Sequence, residues 1–277
     1  MNIVYVSDFK LDDGVVGGSE FIDRTLVELL GCEFQYSGDI EAFDPRNFYV
    51  ISNLSRLKSL SILESLYGCR YIVIEHDYKF VIHRHPWRFK DCIVPPEQII
   101  NREFYKRSDL TFVQSGYHLD VFKRNGIEGR YYNSQCGIWS KREVLALTEA
   151  ALVRNVRSGA FAIVESDNWI KNTKGAVEFC KRQKLDYELI ADKDWKSFLS
   201  KLSSYSSLVF FPLAGETLCR LVVEARCLGL NVITNPTYGA TLEEWYEKKS
   251  HDLIDYLSQR TKSTLKVMGN ALGLKNL

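Results

Sequence analysis

Short apolar runs and segments of helical periodicity alternate along the whole chain. The first run, MNIVYVSDF, is rich in β-branched and aromatic residues and predicts a buried strand. A glycine-bearing loop follows, and the apolar residues of SEFIDRTLVELLG then recur at helical spacing, with Ser19 as a plausible N-cap and Gly31 as the end. A strand, a glycine loop and a helix in this order predict the first unit of an α/β domain.

The same alternation continues in both halves of the chain. Further strands are predicted at 48–53, 70–77, 110–115 and 129–133, and then at 160–166, 186–192, 207–213 and 231–235. Helical patterns lie between these strands, and the chain from Leu242 onward is mostly helical. The expected fold class is therefore α/β, with two doubly wound parallel-sheet domains that bind ligands at the carboxyl ends of their strands.

A helix-forming and then polar segment at 140–159 lies between the two halves. We place the domain boundary inside this segment, which predicts a first domain of residues 1–150 and a second domain of residues 151–277. The second domain is short, and we expect its last helix to be able to pack back on the first domain.

Composition places the chain among ordinary globular proteins, with 277 residues, 45% hydrophobic and 26% charged. No apolar run approaches the roughly 20 residues that span a bilayer, and the first residues do not resemble a signal peptide, so we expect a cytoplasmic protein. The seven cysteines are scattered and form no Cys-x-x-Cys pair. They predict reduced, mostly buried thiols and not a zinc site.

The net charge of +1 conceals an uneven distribution. Residues 76–142 carry 12 basic and 7 acidic side chains and also hold four of the five histidines. Such a segment could face the phosphates of a nucleotide, a lipid or a nucleic acid, or it could be a solvated surface.

Two glutamates interrupt the apolar segment FFPLAGETLCRLVVEARCLGLNVITN. The pattern predicts a strand ended by Pro212, a tight loop and a helix that starts near Thr217. Glu216 is then expected at the helix N-terminus, and Glu224 two turns further along. The pair could be a helix cap and a solvated residue, but the neighbours of Glu224 are apolar. A buried carboxylate needs hydrogen-bond partners, which the hydroxyls of a ligand would provide.

The segment GETLCRLVVEARCLGLNVITN resembles the Glu-x7-Glu signature of GT-B glycosyltransferases, specifically the retaining family 4 type. The resemblance implies that Glu216 lies against the donor sugar and that Glu224 binds the nucleotide ribose. It also implies that backbone amides at Thr217, Leu218 and Cys219 face the sugar or the diphosphate, which agrees with anion binding at helix N-termini.

Other segments carry the same resemblance over nearly the whole chain. The GGSE loop implies that Gly17 and Gly18 let the backbone approach the donor phosphates and the acceptor, although any strand–helix turn can use glycine. The end of VIEHD places His76 near the transferred sugar, although a lone histidine is often structural. KNTKG assigns the diphosphate contact to Lys174, which is otherwise an ordinary lysine at a helix start. The segments 107–127 and 133–138 resemble those that precede the family's interdomain crossover.

The chain also departs from the family pattern. Asp167 and Asn168 stand where the family usually has Gly-Arg, so the expected phosphate-binding arginine is missing and Lys171 is a possible substitute. The small size resembles that of minimal phage or viral members.

The stretch EHDYKFVIHRHPWRFKD mixes aromatic and basic residues. Such a mixture binds sugars, and it also binds unstacked bases. We therefore predict an acceptor surface formed by Tyr78, Lys79, Arg84, Trp87 and Arg88, with a packed flap as the alternative. His83 and His85 lack an evident third ligand, so no metal site is predicted.

Together these features predict a GT-B fold with a cleft between two Rossmann-like domains. The implied activity is that of a retaining, metal-independent hexosyltransferase without a cofactor. It would move a sugar from a nucleotide-diphosphate donor, such as a UDP- or GDP-hexose, to a hydroxyl of a glycan, lipid-linked or small-molecule acceptor. Two alternatives stay open, namely a glycosyltransferase acting on hydroxymethylated bases of phage DNA and a non-catalytic GT-B protein that binds nucleotides or glycans. The near-neutral total charge argues against DNA as the partner.

Overall fold

The computed structural model describes residues 2–10, 17–156, 161–235 and 239–274. The chain forms two compact units, one comprising Met1–Ile138 with Arg260–Leu277 and the other comprising Trp139–Gln259. Each unit contains one parallel β-sheet with flanking helices. The predicted α/β class with two parallel sheets is confirmed.

The first unit is built on a six-stranded sheet with the order β2-β1-β3-β4-β5-β6. All of its strand pairs are parallel. The strands are β1 (Ile3–Ser7), β2 (Glu33–Tyr36), β3 (Phe48–Ile51), β4 (Arg70–Ile74), β5 (Leu110–Val113) and β6 (Tyr131–Asn133), and the helices between them are α1 (Gly18–Leu30), α2 (Leu60–Leu66), α3 (Arg102–Arg107) and α4 (Gly116–Arg124).

Apolar side chains cover both faces of this sheet, as expected when a parallel sheet lies between helices. One face packs against residues such as Phe104 and Phe122, and the other against α1. Met268 and Leu272, which are buried, join this second face of the first unit. They belong to the long helix α9 (Ser250–Leu272), which follows the other helices of the chain.

The second unit has a four-stranded parallel sheet with the order β10-β9-β7-β8. Its strands are β7 (Phe161–Val164), β8 (Tyr187–Ile190), β9 (Ser207–Phe210) and β10 (Asn231–Thr234), and its helices include α5 (Lys141–Leu152), α6 (Thr173–Gln183), α7 (Trp195–Leu202) and α8 (Arg220–Cys227). All four strands lie where the sequence pattern places them. Helix α5 packs against α7 and α8, which explains why the second unit begins at Trp139 and not near residue 150.

Two local features of the first unit differ from the sequence expectations. Strand β2 was not predicted, because Glu33 and Gln35 break the apolar pattern at this sheet edge. Helix α1 begins at Gly18, so that Gly17 and not Ser19 is the N-cap residue, whereas Gly31 ends the helix in the left-handed conformation as predicted. Within the described ranges, no helix is both long enough and apolar enough to cross a membrane.

Candidate functional site

The carboxyl ends of two neighbouring strands in the second unit bring Lys171 and Glu216 together. Lys171 follows β7 and Glu216 follows β9, and these strands pair directly. The Lys171 Nζ lies 2.9 Å from Glu216 Oε1, with side-chain exposures of 33% and 21%. Burial lowers the pKa of Lys171, but the neighbouring groups, with Glu216 as the main contributor, together outweigh burial, so that the pKa lies above its usual value. The result is a charged, partly accessible ion pair.

The loop that carries Glu216 is longer than predicted. Helix α8 begins at Arg220, because Cys219 adopts a left-handed backbone conformation with φ of 71° and thus ends the loop. Glu216 therefore lies in the loop and not at the helix N-terminus, which corrects the expected helix start near Thr217. The amide of Gly239 donates to the Glu216 carbonyl at 3.1 Å, and the amide of Ala240 donates to the Leu218 carbonyl at 3.0 Å. These bonds fix a loop whose residues Thr217, Leu218 and Cys219 are buried.

The turn after β7 is shaped by two asparagines. Asn168 accepts a hydrogen bond from the Ile170 amide at 3.0 Å, which forms the short turn that carries Lys171. Asn172 is left-handed, accepts from the Gly175 amide at 3.2 Å and donates to the Phe211 carbonyl at 2.8 Å. Asn172 thus ties the loop after β7 to the end of β9. Asn168, which stands where an arginine was expected, serves here as a turn residue.

Lys174 occupies a different environment from Lys171. Its side chain is 89% exposed, and its nearest charge is Glu178, 4.0 Å away on the same helix. The lysine that the structure places beside Glu216 is Lys171, and the diphosphate contact implied for Lys174 stays a prediction.

Glu224 is buried, with a side-chain exposure of 6%. Its Oε1 accepts from Trp195 Nε1 at 2.9 Å and from Arg220 Nε at 3.0 Å. Burial raises the pKa of Glu224, and its partners Arg220 and Trp195 offset only part of that rise. The solvated alternative for Glu224 is therefore wrong.

Arg220 connects Glu224 to a wider network. Its guanidinium donates to Glu143 and lies over the Trp139 ring, 3.8 Å from the centroid. Glu143 in turn forms a capping box with Ser140 at the start of α5. A buried ion-pair network thus orients the Glu224 carboxylate, and none of these partners was singled out from the sequence.

In the first unit, His76 follows β4 and is anchored by a buried carboxylate. Its Nε2 lies 2.9 Å from Ser52 Oγ and 3.3 Å from Asp23 Oδ1, and Gln114 Nε2 donates to its Nδ1 at 3.2 Å. These contacts fit a ring that carries its proton on Nε2. The ring is only 7% exposed. The structure therefore fixes the orientation of His76 through groups from three separate segments.

Asp23 is the centre of this cluster and was missed by the sequence interpretation. Its carboxylate accepts from Tyr5 at 2.7 Å, from Ser7 at 2.6 Å and from Ser52 at 2.7 Å. Burial raises the pKa of Asp23, but hydrogen bonds from His76, Ser7 and Ser52 together outweigh this rise, so that the pKa lies below its usual value. The only sequence signal was a carboxylate within the apolar periodicity of α1.

A second polar cluster lies beside His76. Glu75 is fully buried and accepts from Lys79 at 2.7 Å and from Tyr105 at 2.6 Å. His118 Nε2 donates to the Asp77 carbonyl at 2.6 Å, and burial lowers the pKa of His118 to about 3. Asp77 also pairs with Arg84 at 2.9 Å.

The predicted acceptor residues occupy contrasting environments. Tyr78 is 3% exposed and belongs to the apolar core, and the ammonium of the buried Lys79 is directed at Glu75. Burial therefore removes Tyr78 from an acceptor surface, which is a correction, whereas Lys79 lines a cavity of the first unit although it is buried. Arg84 is partly exposed, while Arg88 is exposed and lies over the Trp87 ring at 5.7 Å.

Gly17 lies against the side chain of Glu20. A Cβ built on Gly17 would lie 2.5 Å from the carboxylate of Glu20, which folds back over the start of α1. Gly18 is the first residue of that helix. Their contact with donor phosphates stays a prediction. In the part of the chain that the structure describes, no group of three or more His, Cys, Asp or Glu side chains could hold a metal ion.

Comparisons with known proteins bear on the fold. No protein-family model matches the chain, and no curated protein matches it. Among solved structures, sucrose-phosphate synthase from Thermosynechococcus elongatus is similar, with 10% sequence identity, coverage of 86% of this chain and 82% of that chain, and a TM-score of 0.52. HepE of Anabaena in complex with UDP is also similar, with 11% identity, coverage of 96% and 91%, and a TM-score of 0.48. The similarity to the synthase, at this identity, shows a shared fold, and the GT-B prediction agrees with it.

Proposed function

We propose that the protein is a glycosyltransferase that moves a sugar from a nucleotide-diphosphate donor to an acceptor hydroxyl with retention of anomeric configuration. The acceptor is a glycan, a lipid-linked sugar or a small molecule, and the transfer needs no metal ion. The observation that carries this proposal is the accessible Lys171–Glu216 pair at the carboxyl ends of β7 and β9. Ligands of doubly wound α/β folds bind at this end of the sheet.

The two charges of this pair have complementary uses in sugar transfer. When the bond between the sugar and the diphosphate breaks, negative charge develops on the leaving diphosphate. The ammonium of Lys171, which Glu216 keeps protonated, would stabilise that charge. The carboxylate of Glu216 would accept hydrogen bonds from sugar hydroxyls and hold the reacting carbon in place.

Glu224 could accept a hydrogen bond from the ribose although its side chain is buried. Within the described residues, both of its hydrogen bonds reach Oε1, from Trp195 and from Arg220. Oε2 is the oxygen that would accept from a ribose hydroxyl, with Arg220 fixing the orientation of the carboxylate.

Residues of the first unit would serve the acceptor and the transferred sugar. His76 is assigned to the sugar, with Asp23 as the residue that positions its ring. Gly17 and Gly18 would allow the backbone to approach the phosphates. The partly exposed Arg84 and Trp87 and the exposed Arg88 are the members of the predicted acceptor surface that a ligand could reach.

Nucleotide release from a panel of UDP-, GDP- and ADP-hexoses tests the proposal. We expect one donor to support turnover, and Glu216→Gln to reduce it by a factor of about 10²–10³, the usual effect of losing one group that acts on the transition state. Glu178→Gln is the matched control, because Glu178 is 66% exposed on α6. Absence of both donor hydrolysis and saturable donor binding for every sugar would refute the enzyme assignment.

One observation favours a second candidate, a nucleotide- or glycan-binding protein without catalysis. At the position of the arginine expected near the diphosphate, Asn168 accepts a hydrogen bond from the Ile170 amide, and the Lys174 side chain is 89% exposed. Saturable donor binding without nucleotide release, with any acceptor tried, would support this candidate.

A further inference from the structure

A cavity of about 400 Å³ opens on the first unit beside helix α2. Its walls are mainly apolar and include Leu54, Leu57, Leu60, Leu63, Ile82 and Ile100. Leu60, Ile82 and Ile100 are 76%, 47% and 38% exposed, whereas Phe104 at the lining is buried. A recess of this size with an exposed apolar rim is typical of a small-ligand site and not of a closed core.

A second cavity of about 320 Å³ adjoins the first and has the opposite character. The two share Ser55 and Arg84 in their walls. The charged side chains of the second cavity are Lys10, Arg56, Arg84 and Asp8, so that cations are in excess. Asp8 is already engaged, because it accepts from Ser37, from the Ser55 hydroxyl and from the Ser55 amide.

Arg84 has capacity for a further anionic partner. Its bonds to Asn53 at 2.8 Å and to Asp77 at 2.9 Å both use Nη1. Within the described part of the chain, Nε and Nη2 make no hydrogen bond. A guanidinium held on one side by such bonds is preorganised to bind a phosphate or carboxylate with its remaining donors.

The cationic cavity lies next to the His76 cluster along the chain and through contacts. Ser52, which contacts His76 Nε2 at 2.9 Å, precedes Asn53 of the cavity wall. Asp77, which pairs with Arg84, follows His76 directly. Both cavities therefore adjoin the neighbours of the predicted sugar-contacting histidine, because Arg84 lines both of them and pairs with Asp77.

We infer that these two cavities together bind an amphiphilic acceptor, with an alkyl or prenyl chain in the apolar cavity and an anionic phosphate or carboxylate head at Arg56 and Arg84. This inference rests on the proposed function and narrows its acceptor class to lipid-like molecules. A folded protein partner would cover a broad surface, about 800 Å² on each side of a stable complex, and would not fit inside a recess of about 400 Å³. A nucleic acid has no alkyl chain to fill the recess.

A chain-length series of alkyl phosphates tests the inference on the wild-type protein. Hexyl, octyl and decyl phosphate are titrated below their micelle concentrations, with inorganic phosphate as the headgroup alone. We expect affinity to rise roughly fourfold per methylene group, the equivalent of burying that group, until the cavity is filled. Affinity that does not change with chain length, or that inorganic phosphate matches, would overturn the inference.

Substitutions at the exposed rim locate the site. Leu60→Asp and Ile82→Asp should each weaken decyl phosphate binding at least tenfold, because a carboxylate at the rim repels the head and opposes the chain. Ile93→Asp is the matched control, since Ile93 is 56% exposed in the same unit and does not line the cavity. Equal losses in all three variants, with unchanged thermal unfolding, would contradict the assignment.

The Arg56→Gln variant tests the contact with the anionic headgroup separately from the contact with the alkyl chain. Arg56 is exposed, and only its backbone amide contacts Asp8, so this change leaves the Arg84–Asp77 pair intact. We expect weaker binding of decyl phosphate, by about a factor of ten, and unchanged binding of decanol. Equal losses for both ligands, or none for decyl phosphate, would refute the anionic-head assignment.

The outcomes also separate this inference from the proposed function. Alkyl phosphate binding in a protein that binds no nucleotide sugar would uphold the amphiphile site and refute the transferase. Donor turnover in a protein that does not bind alkyl phosphates would support the transferase and refute the amphiphile site. Concentration-dependent dimerisation that the Leu60→Asp variant abolishes would show instead that a second copy covers this surface.

Discussion

The two units each contain a lysine–glutamate pair at the carboxyl end of a parallel strand, and the pairs have almost the same length. Lys79 and Glu75 lie 2.7 Å apart in the first unit, and Lys171 and Glu216 lie 2.9 Å apart in the second. Their exposures differ, at 4% and 0% against 33% and 21%. The distance between two charges therefore says little about their role, and access to solvent decides whether a ligand can exchange for one of them.

The surroundings explain why the first pair is fixed. Glu75 accepts a further hydrogen bond from Tyr105 at 2.6 Å, and burial raises its pKa although Lys79 counteracts this rise. Taking such charges out of water is expensive, so each depends on the other. The second pair retains contact with water and can rearrange around a ligand at a smaller cost in free energy.

The largest expected effect is on stability in the first unit. Lys79→Met removes the partner of a buried carboxylate and should lower the free energy of unfolding by about 3–5 kcal/mol. Urea denaturation measures this change. The double variant Glu75→Gln with Lys79→Met should recover a large part of the loss, and a single variant with wild-type stability would contradict the comparison.

The next largest effect is on turnover in the second unit. Lys171→Met should reduce sugar transfer by a factor of about 10²–10³ while changing the free energy of unfolding by less than about 1 kcal/mol. Steady-state kinetics and urea denaturation of the same preparation check both parts. Loss of stability as large as that of Lys79→Met would show that the two pairs are equivalent.

The buried polar cluster should also make the first unit sensitive to acid. The pKa of His118 is about 3 in the folded protein against 6.5 for an unperturbed histidine, because burial disfavours the charged ring. The unfolded chain thus takes up a proton below pH 6.5 that the folded state does not accept until about pH 3. His118 alone should therefore lower the free energy of unfolding by about 2 kcal/mol between pH 8 and pH 5.

Comparison of wild type with His118→Gln isolates this contribution. Urea unfolding at pH 8 and at pH 5 should show a smaller pH dependence in the variant. The same pH dependence in both proteins would show that another group is responsible.

The smallest effect is expected at the exposed lysine of α6. Lys174→Met should change the free energy of unfolding by less than about 0.5 kcal/mol, as for other surface positions, and should reduce turnover far less than Lys171→Met. A reduction as large as that of Lys171→Met would support the diphosphate role that the family resemblance implies for Lys174.

The fold could be predicted from the sequence because the apolar pattern that predicts each strand lies within that strand's own consecutive residues. The edge strand β2 was missed since Glu33 and Gln35 give it no apolar signal. The start of α8 was misplaced because Cys219 takes a left-handed conformation that a non-glycine residue seldom adopts.

The candidate site could be predicted only where one segment carries the information. Glu216 and Glu224 stand out by their spacing, and Lys171 as the possible substitute for the missing arginine. Asp23 could not be found in this way, because its partners Tyr5, Ser52 and His76 come from three other parts of the chain. Burial likewise depends on tertiary packing, which is why the local sequence around Tyr78 does not show that this residue belongs to the core.

The path of the chain also affects the order in which the protein can fold during synthesis. The second unit is continuous, whereas the first unit needs Met268 and Leu272 of α9 to complete the apolar layer over one face of its sheet. These residues leave the ribosome after the whole second unit has been made. The segment translated first thus completes its core last, and until then the face that α9 will cover is open to chaperones.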